Sequence, residues 1–209
     1  MLRQTLCLAL LVLACGVATG QDLLPRDHGL QYTGKQGSRP VQVEVTLREQ
    51  PDGTLEYVEW VLPRGWARWL TRNQARRATL SFNGELLLPL RFDPGDGALA
   101  PPTDLPAGAL DELSVRLRAR ADIARGLDSA EYMVWRADGS LEQWKLQVAG
   151  PDSLETPDGR YQAIRFRLGT AEEWLEGWSA PLLLFHFVRL EQWRDGRKTS
   201  ELALSEKQL

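Results

Sequence analysis

The chain has 209 residues, of which 43% are hydrophobic and 25% are charged, and this composition excludes wholesale disorder. Its formal net charge of -3 argues against a general nucleic-acid-binding protein. With only two histidines and two cysteines, a zinc site built from these ligands is not expected, and we predict neither a metal nor a cofactor.

Residues 1–20 have the pattern of a secretory signal peptide. Arg3 precedes an apolar run, and small residues follow up to Gly20. The run is shorter than the roughly 20 apolar residues of a membrane-spanning helix. We therefore predict export to the periplasm, cleavage near Gly20 and no transmembrane span in the mature chain. The alternative is a lipoprotein anchored at Cys15, since residues 12–15 resemble a lipoprotein cleavage box.

The mature chain begins with a weakly patterned segment. Residues 21–39 are polar and interrupted by glycine, which indicates a lead-in segment before the domain. For residues 40–209 we predict a single β-rich domain, because no change in composition marks a second one. Residues 41–47 alternate strictly between apolar and polar side chains, the pattern of a strand with one buried face.

Apolar runs separated by turn sequences recur along the domain. Asn-Gly at 83–84 and Asp-Gly at 138–139 and 195–196 each separate two apolar runs, as in β-hairpins whose turn residues need positive φ. Pro-Asp-Gly at 51–53 and 157–159 marks two further turns. The repetition predicts an all-β, mostly antiparallel curled sheet or open barrel of about nine or ten strands.

One segment has the period of a helix instead. Leu110, Leu113 and Leu117 recur at i, i+3 and i+7 and define one apolar stripe. The stripe predicts a single helix over residues 109–120 that packs on the sheet, with Gly126 as its stop.

Few residues suggest catalysis. Glu172, Glu173 and Glu176 lie beside two tryptophans, and a pair of carboxylates is what glycoside hydrolysis needs. No G-x-S-x-G motif is present, and His186 lies in an apolar run over residues 182–193 that reads as a strand. We therefore predict that the protein is not an enzyme and name no catalytic residue.

The most unusual local sequence combines arginines at i, i+4 spacing with tryptophans and contains no acidic residue. A guanidinium can bind a phosphate through two hydrogen bonds, while an indole ring sits at a lipid–water interface. A basic connector whose tryptophans cover the edge of the core is the alternative interpretation. The candidate ligand- or membrane-binding residues are Arg64, Trp66, Arg68, Trp69 and Arg72.

Six segments taken together carry a family resemblance. They are, in chain order, Leu86-Leu87-Leu88-Pro89-Leu90-Arg91-Phe92, Ala109-Leu110-Asp111-Glu112-Leu113-Ser114, Glu155-Thr156-Pro157-Asp158-Gly159-Arg160-Tyr161, Trp178-Ser179-Ala180-Pro181, Arg189-Leu190-Glu191-Gln192 and Asp195-Gly196-Arg197. In these segments the chain resembles the DUF3108 family of exported bacterial envelope proteins, whose function is unknown. The resemblance covers most of residues 40–206 and implies a β-rich curled sheet in the periplasm or at the outer membrane, without catalytic residues. Residues 182–188 depart from it, because they are bulkier than the expected glycine-containing turn.

Three functions remain open. The first is a non-enzymatic envelope protein that binds a hydrophobic or amphiphilic ligand, such as a lipid or glycolipid, or a protein partner, with peripheral contact to a membrane. The second is a carbohydrate-active hydrolase that uses the clustered glutamates. The third is a structural or scaffold protein that joins an envelope assembly through its sheet edge. An enclosed carrier would need an apolar cavity of several hundred Å³.

Overall fold

The computed structural model describes residues 27–83, 86–95, 101 and 104–208. The predicted signal peptide, Cys15 and the turn residue Gly84 lie outside the described residues. The described part is β-structure apart from one α-helix and two short 3-10 helices. All strands belong to one twelve-stranded sheet, so the predicted all-β class with a curled sheet and one helix is confirmed.

The sheet is antiparallel throughout except between β6 and β7. Its order is β5-β4-β3-β2-β1-β12-β11-β10-β9-β8-β7-β6. The strands are β1 (His28–Gln36), β2 (Arg39–Glu49), β3 (Leu55–Pro63), β4 (Gln74–Asn83), β5 (Leu86–Asp93), β6 (Leu110–Asp111), β7 (Ser129–Trp135), β8 (Leu141–Thr156), β9 (Gly159–Gly169), β10 (Glu173–Ala180), β11 (His186–Arg194) and β12 (Arg197–Gln208).

The predicted count of nine or ten strands is wrong, and the barrel is more nearly closed than predicted. β6 has only two residues, glycines interrupt the alternation of β1, and glutamates conceal the alternation of β10. The terminal strands β5 and β6 lie against each other, so the sheet curls into a nearly closed barrel.

β1 brings part of the predicted lead-in segment into the sheet. It pairs with β2 on one side and with β12 on the other, and thereby joins the beginning of the described chain to its end. Gly34 permits this close approach, because a Cβ atom there would overlap the carbonyl oxygen of Glu201. The sheet therefore includes residues 28–36 as well as the predicted domain.

The strand directions define two ends of the barrel. We call the end with the β1–β2, β3–β4, β7–β8, β9–β10 and β11–β12 connections the front rim. The end with the β2–β3, β8–β9 and β10–β11 connections is the back rim. Alternate side chains of β2 point into the barrel, and all four of the predicted apolar positions, Val41, Val43, Val45 and Leu47, are buried.

The single helix, α1 (Ser114–Ala124), lies inside the barrel rather than on its outer surface. Eight of its 11 residues are buried. Arg116 contacts Glu59 on β3, while Asp122 accepts a hydrogen bond from Tyr132 on β7, so the helix touches widely separated walls. It runs from the front rim to the back rim and fills much of the interior.

The helix begins five residues later than its apolar stripe predicts. The buried Asp111 accepts hydrogen bonds from the backbone N–H groups of Leu113 and Ser114 at 2.8 and 2.9 Å, and thereby caps the start of the helix. Leu110 consequently belongs to β6. The predicted stop is confirmed, since Gly126 has a φ of 80° just beyond the last turn.

The expected strand over residues 182–193 is broken at the back rim. A 3-10 turn, Pro181–Leu183, separates β10 from β11. Leu184 and Phe185 then adopt φ angles of 49° and 62°, the region that favours glycine. Bulky residues therefore occupy a turn geometry that glycine would adopt without strain, where the sequence departs from the DUF3108 pattern.

Candidate functional site

The predicted binding residues all lie on the β3–β4 connection at the front rim. We call residues 64–73 the Arg–Trp connection; it contains the 3-10 helix Gly65–Trp69. Ala67 is fully buried and holds the connection to the barrel. The two tryptophans point the other way, with Trp66 51% and Trp69 86% exposed, and Leu70 beside them is 70% exposed.

The arginines of the connection have few internal partners. Arg64 donates a hydrogen bond to the side chain of Gln42, and Arg68 Nε lies 3.4 Å from the carbonyl oxygen of Gly65. In the described part of the chain, none of Arg64, Arg68 and Arg72 forms an ion pair with a carboxylate. The structure thus places exposed indole rings and uncompensated guanidinium groups on one projecting segment. The tryptophans do not cover the edge of the core, which removes the main reason for interpreting the segment as a structural connector.

A cavity of about 100 Å³ opens at the front rim, inside the barrel. Its mouth is polar, with Gln36 and Gln74 among the lining residues, and its wall is apolar. Glu59, Arg76 and Arg116 form its floor. Because α1 occupies the space beyond this floor, the cavity is several times smaller than a carrier of a whole lipid would need.

The floor belongs to a series of alternating charges that we call the ion-pair ladder. Arg116 Nη1 lies 2.5 Å from Glu59, which also contacts Arg76 at 3.6 Å. Arg76 Nη2 reaches Glu112 at 2.5 Å, and Arg136 Nε lies 3.0 Å from the same carboxylate. The ladder therefore ties β3 and β4 to the start of α1 and to the β7–β8 connection across the gap between the sheet ends.

Glu59 is held ionised within the ladder. Burial alone would raise its pKa, but the charges and hydrogen bonds of Arg116 and Arg76 outweigh burial and lower the pKa below its usual value. The sequence contains one signal of this role. Glu59 occupies a position in β3 where the alternation of Leu55 and Tyr57 calls for an inward, apolar residue.

The glutamates of the hydrolase alternative are not brought together. Glu172 lies exposed in the turn before β10, while Glu173 and Glu176 lie on opposite faces of that strand. Glu173 pairs with Arg194 at 2.8 Å, and Glu176 pairs with Arg165. Burial would raise the pKa of Glu173, but its arginine partners outweigh burial and lower it, which is the wrong direction for a general acid.

His186 lies buried inside the barrel near the back rim. Its ring packs edge-on against His28 with 4.2 Å between centroids, and Arg120 Nη1 lies 2.8 Å from its Nδ1 atom. Burial, followed by the charges of Arg120 and His28, strongly lowers its pKa. The imidazole therefore stays neutral and accepts a hydrogen bond from the arginine. Burial likewise lowers the pKa of Arg120 to about 10.

Stability should fall in mild acid because of His186. The unfolded histidine binds a proton below its ordinary pKa of 6.5, whereas the folded one does not, so the unfolded state gains protons as the pH falls. We expect the free energy of unfolding to decrease by about 2 kcal/mol between pH 7 and pH 5 through this group. Urea titrations at several pH values give the slope of the free energy of unfolding against pH for the wild type and for His186→Gln. This slope should be smaller in the variant by the equivalent of about one proton. Equal slopes would contradict this assignment.

Within the described ranges, no group of three or more histidine, cysteine, aspartate or glutamate side chains is arranged to hold a metal ion. Of the helices in that same part of the chain, none is long and apolar enough to cross a membrane.

Known proteins resemble the chain in fold only. No family model and no curated protein matches the sequence, so membership of DUF3108 stays a prediction. The chain is similar to the beta-barrel-like protein of the domain of unknown function DUF1849 from Brucella abortus, with 6% identity, coverage of 87% of this chain and 96% of that one, and a TM-score of 0.50. It is also similar to a protein with a YmcC-like fold from Bacteroides fragilis, with 10% identity, coverage of 89% and 97%, and a TM-score of 0.39. The first likeness agrees with the class that the geometry defines, a barrel-like all-β protein, here with a helix inside.

Proposed function

We propose that this is a non-enzymatic, exported envelope protein that docks on anionic lipid headgroups through the Arg–Trp connection. One observation carries the proposal: Trp66 and Trp69 project into solvent from a segment whose three arginines pair with no carboxylate among the residues that the structure describes. Exposed tryptophans cost solubility when they serve no contact, and a basic segment between them fits an anionic interface.

The physical contributions match peripheral docking. Each arginine near an anionic surface contributes about 1 kcal/mol of binding free energy. The tryptophan rings and Leu70 add apolar area that leaves water when they enter the headgroup region, at roughly 25 cal/mol per Å². Docking at the surface also fits the small front cavity, because the barrel need not enclose an acyl chain.

Export is the second part of the proposal. It is supported by the signal-peptide pattern of residues 1–20 and by the resemblance to exported envelope proteins. A periplasmic protein would use the Arg–Trp connection as its membrane contact. If Cys15 carries a lipid anchor instead, the same connection would add a second, reversible contact, and stable membrane attachment commonly takes two such signals.

Co-sedimentation with vesicles tests the docking. The protein should bind vesicles that contain phosphatidylglycerol, bind phosphatidylcholine vesicles weakly, and dissociate as salt is raised. Arg68→Glu with Arg72→Glu should weaken binding to the anionic vesicles about 100-fold or more, because two attractions become repulsions. Trp66→Ala with Trp69→Ala should weaken binding at every salt concentration.

A charge-matched variant at the back rim controls for net charge. Arg48→Glu with Arg160→Glu makes the same change in total charge, and both arginines are exposed far from the connection. We expect this control to lose little binding. Equal losses in the two double variants would mean that overall charge, and not the Arg–Trp connection, governs the interaction.

A further inference from the structure

A gap in the hydrogen-bonded wall separates β5 from β7; we call it the seam. β6 pairs only with Val134 and Trp135 at the front end of β7. Over residues 129–133, β7 pairs with β8 alone, and β5 pairs with β4 alone, within the part of the chain that the structure describes. Two strand edges therefore face each other along the back half of the barrel.

The register shows where the backbone groups of β7 that do not bond to β8 point. Val148 donates its N–H to the carbonyl oxygen of Asp128, which makes that pair a hydrogen-bonded one in the β7–β8 ladder. Because such pairs alternate in antiparallel sheets, the N–H and C=O groups of Ser129 and Glu131 point away from β8 and into the seam. Pro89 has no backbone N–H, so β5 offers fewer hydrogen-bond donors to the seam. β7 therefore supplies most of the hydrogen-bonding groups along the seam.

The direction of a fitting strand follows from the topology. β5, β6 and β7 all run from the back rim to the front rim. A strand inserted in the opposite direction would be antiparallel to both edges, the arrangement found through the rest of the sheet. β6 cannot supply it, since it runs parallel to β7.

The space and chemistry of the seam suit an extended chain. A pocket of about 330 Å³ lies there, and its lining combines apolar side chains, among them Leu87, Leu110 and Tyr132, with Arg118 and Asp122 of α1. The exposed charged side chains along the β7 edge are Asp128 and Glu131, both acidic. An inserted strand would thus meet Leu87, Leu110 and Tyr132 on its inner face, next to the paired charges of Arg118 and Asp122 on α1. On the β7 side of its outer face it would meet acidic neighbours.

We infer that the seam binds an extended segment of a partner protein by strand addition, antiparallel to β7, with apolar residues facing inward and basic residues facing outward. Only a polypeptide backbone offers donors and acceptors at the spacing of the β7 edge, and this fixes the class of ligand. The paired length is about five residues, from 129 to 133. The inference is independent of membrane docking, which uses the front rim.

Hydrogen exchange on the protein alone is the first test. The amides of Ala130 and Tyr132, which bond to β8, should exchange slowly, while those of Ser129 and Glu131 should exchange freely. Slow exchange at Ser129 and Glu131 would mean that the edge is already paired within the chain, and would overturn the inference.

A peptide of alternating valine and lysine in large excess is the second test. It should protect the amides of Ser129 and Glu131, and a peptide with glutamate in place of lysine should protect them at least several-fold less. Glu131→Pro removes only an N–H that points into the seam and should reduce protection about tenfold or more. Glu131→Thr keeps that N–H and should retain most of the protection.

Three results would count against the inference. The first is that the valine–lysine peptide gives no protection. The second is that Glu131→Pro leaves the protection unchanged, although thermal unfolding shows that the variant is folded. The third is that protection rises with the concentration of the protein itself and that sedimentation shows dimers. The last would make a second copy the occupant in place of a partner protein.

Discussion

Glu59→Ala should lower the free energy of unfolding by about 3 kcal/mol, since it leaves two partly buried arginines without their shared carboxylate. Glu59 is 7% exposed and lies between Arg116 and Arg76 on the floor of the front cavity. Removing it would also break the ion pair that joins β3 to α1. Urea unfolding followed by circular dichroism measures the loss.

Glu56→Ala is the matched control for Glu59→Ala. Glu56 lies on the same strand and pairs with Arg77 at 3.0 Å, but both side chains are substantially exposed. Surface pairs of this kind contribute about 0–1 kcal/mol. A loss of similar size in the two variants would contradict the assignment of the ion-pair ladder as a stabilising tie between the helix and the wall.

Gly34→Ala should destabilise the barrel by about 3 kcal/mol or more, because overpacking against backbone cannot be relieved by a side-chain movement. The added Cβ would overlap the carbonyl oxygen of Glu201 on β12. The β1–β12 pairing would have to open at the point where the two ends of the described chain meet. Thermal unfolding gives the magnitude, and exchange of the β12 amides locates the damage.

Gly29→Ala provides the control on the same strand. A Cβ at Gly29 would meet only the side chain of Gln208, at 3.8 Å, in ordinary contact. We expect a change within about 0.5 kcal/mol, as for most surface substitutions. If Gly34→Ala were equally mild, β1 and β12 would not approach as closely as the structure has them.

The sequence predicted strands wherever alternation was continuous and a turn sequence followed. The apolar alternation of residues 41–47 and the Asp-Gly turn at 195–196 both correspond to observed elements. β1 was not predicted because only Leu30 and Tyr32 are apolar at its inward positions, and Gly34 interrupts the alternation at the next one. β6 is too short to show any period.

The position of the helix could not be predicted from its own residues. An apolar stripe indicates one buried face, yet on α1 Arg120 is buried and Arg116 is partly buried, because partners on distant strands receive them. Those partners, Glu59 and His186, are separated from the helix by dozens of residues. Long-range pairing of this kind leaves no local pattern, although a charged residue at an inward strand position is a usable signal.

The Arg–Trp connection could be predicted from composition alone, but its exposure could not. Arginines and tryptophans at this spacing fit a buried connector and a docking segment equally well. The structure shows that the side chains of Trp66 and Trp69 are exposed, while Ala67 alone in the connection is buried. The role in binding remains the proposal that the vesicle experiments address.

Depth measurements with spin labels test the central claim most directly. Asn73→Cys places a label on the Arg–Trp connection, and Leu182→Cys places one at the back rim, on a side chain that is 85% exposed. On vesicles containing phosphatidylglycerol, docking through the front rim predicts that the label at 73 becomes accessible to oxygen and shielded from a water-soluble nickel complex, while the label at 182 stays in water. Equal accessibility at the two sites, or immersion of the label at 182 alone, would contradict docking through the Arg–Trp connection.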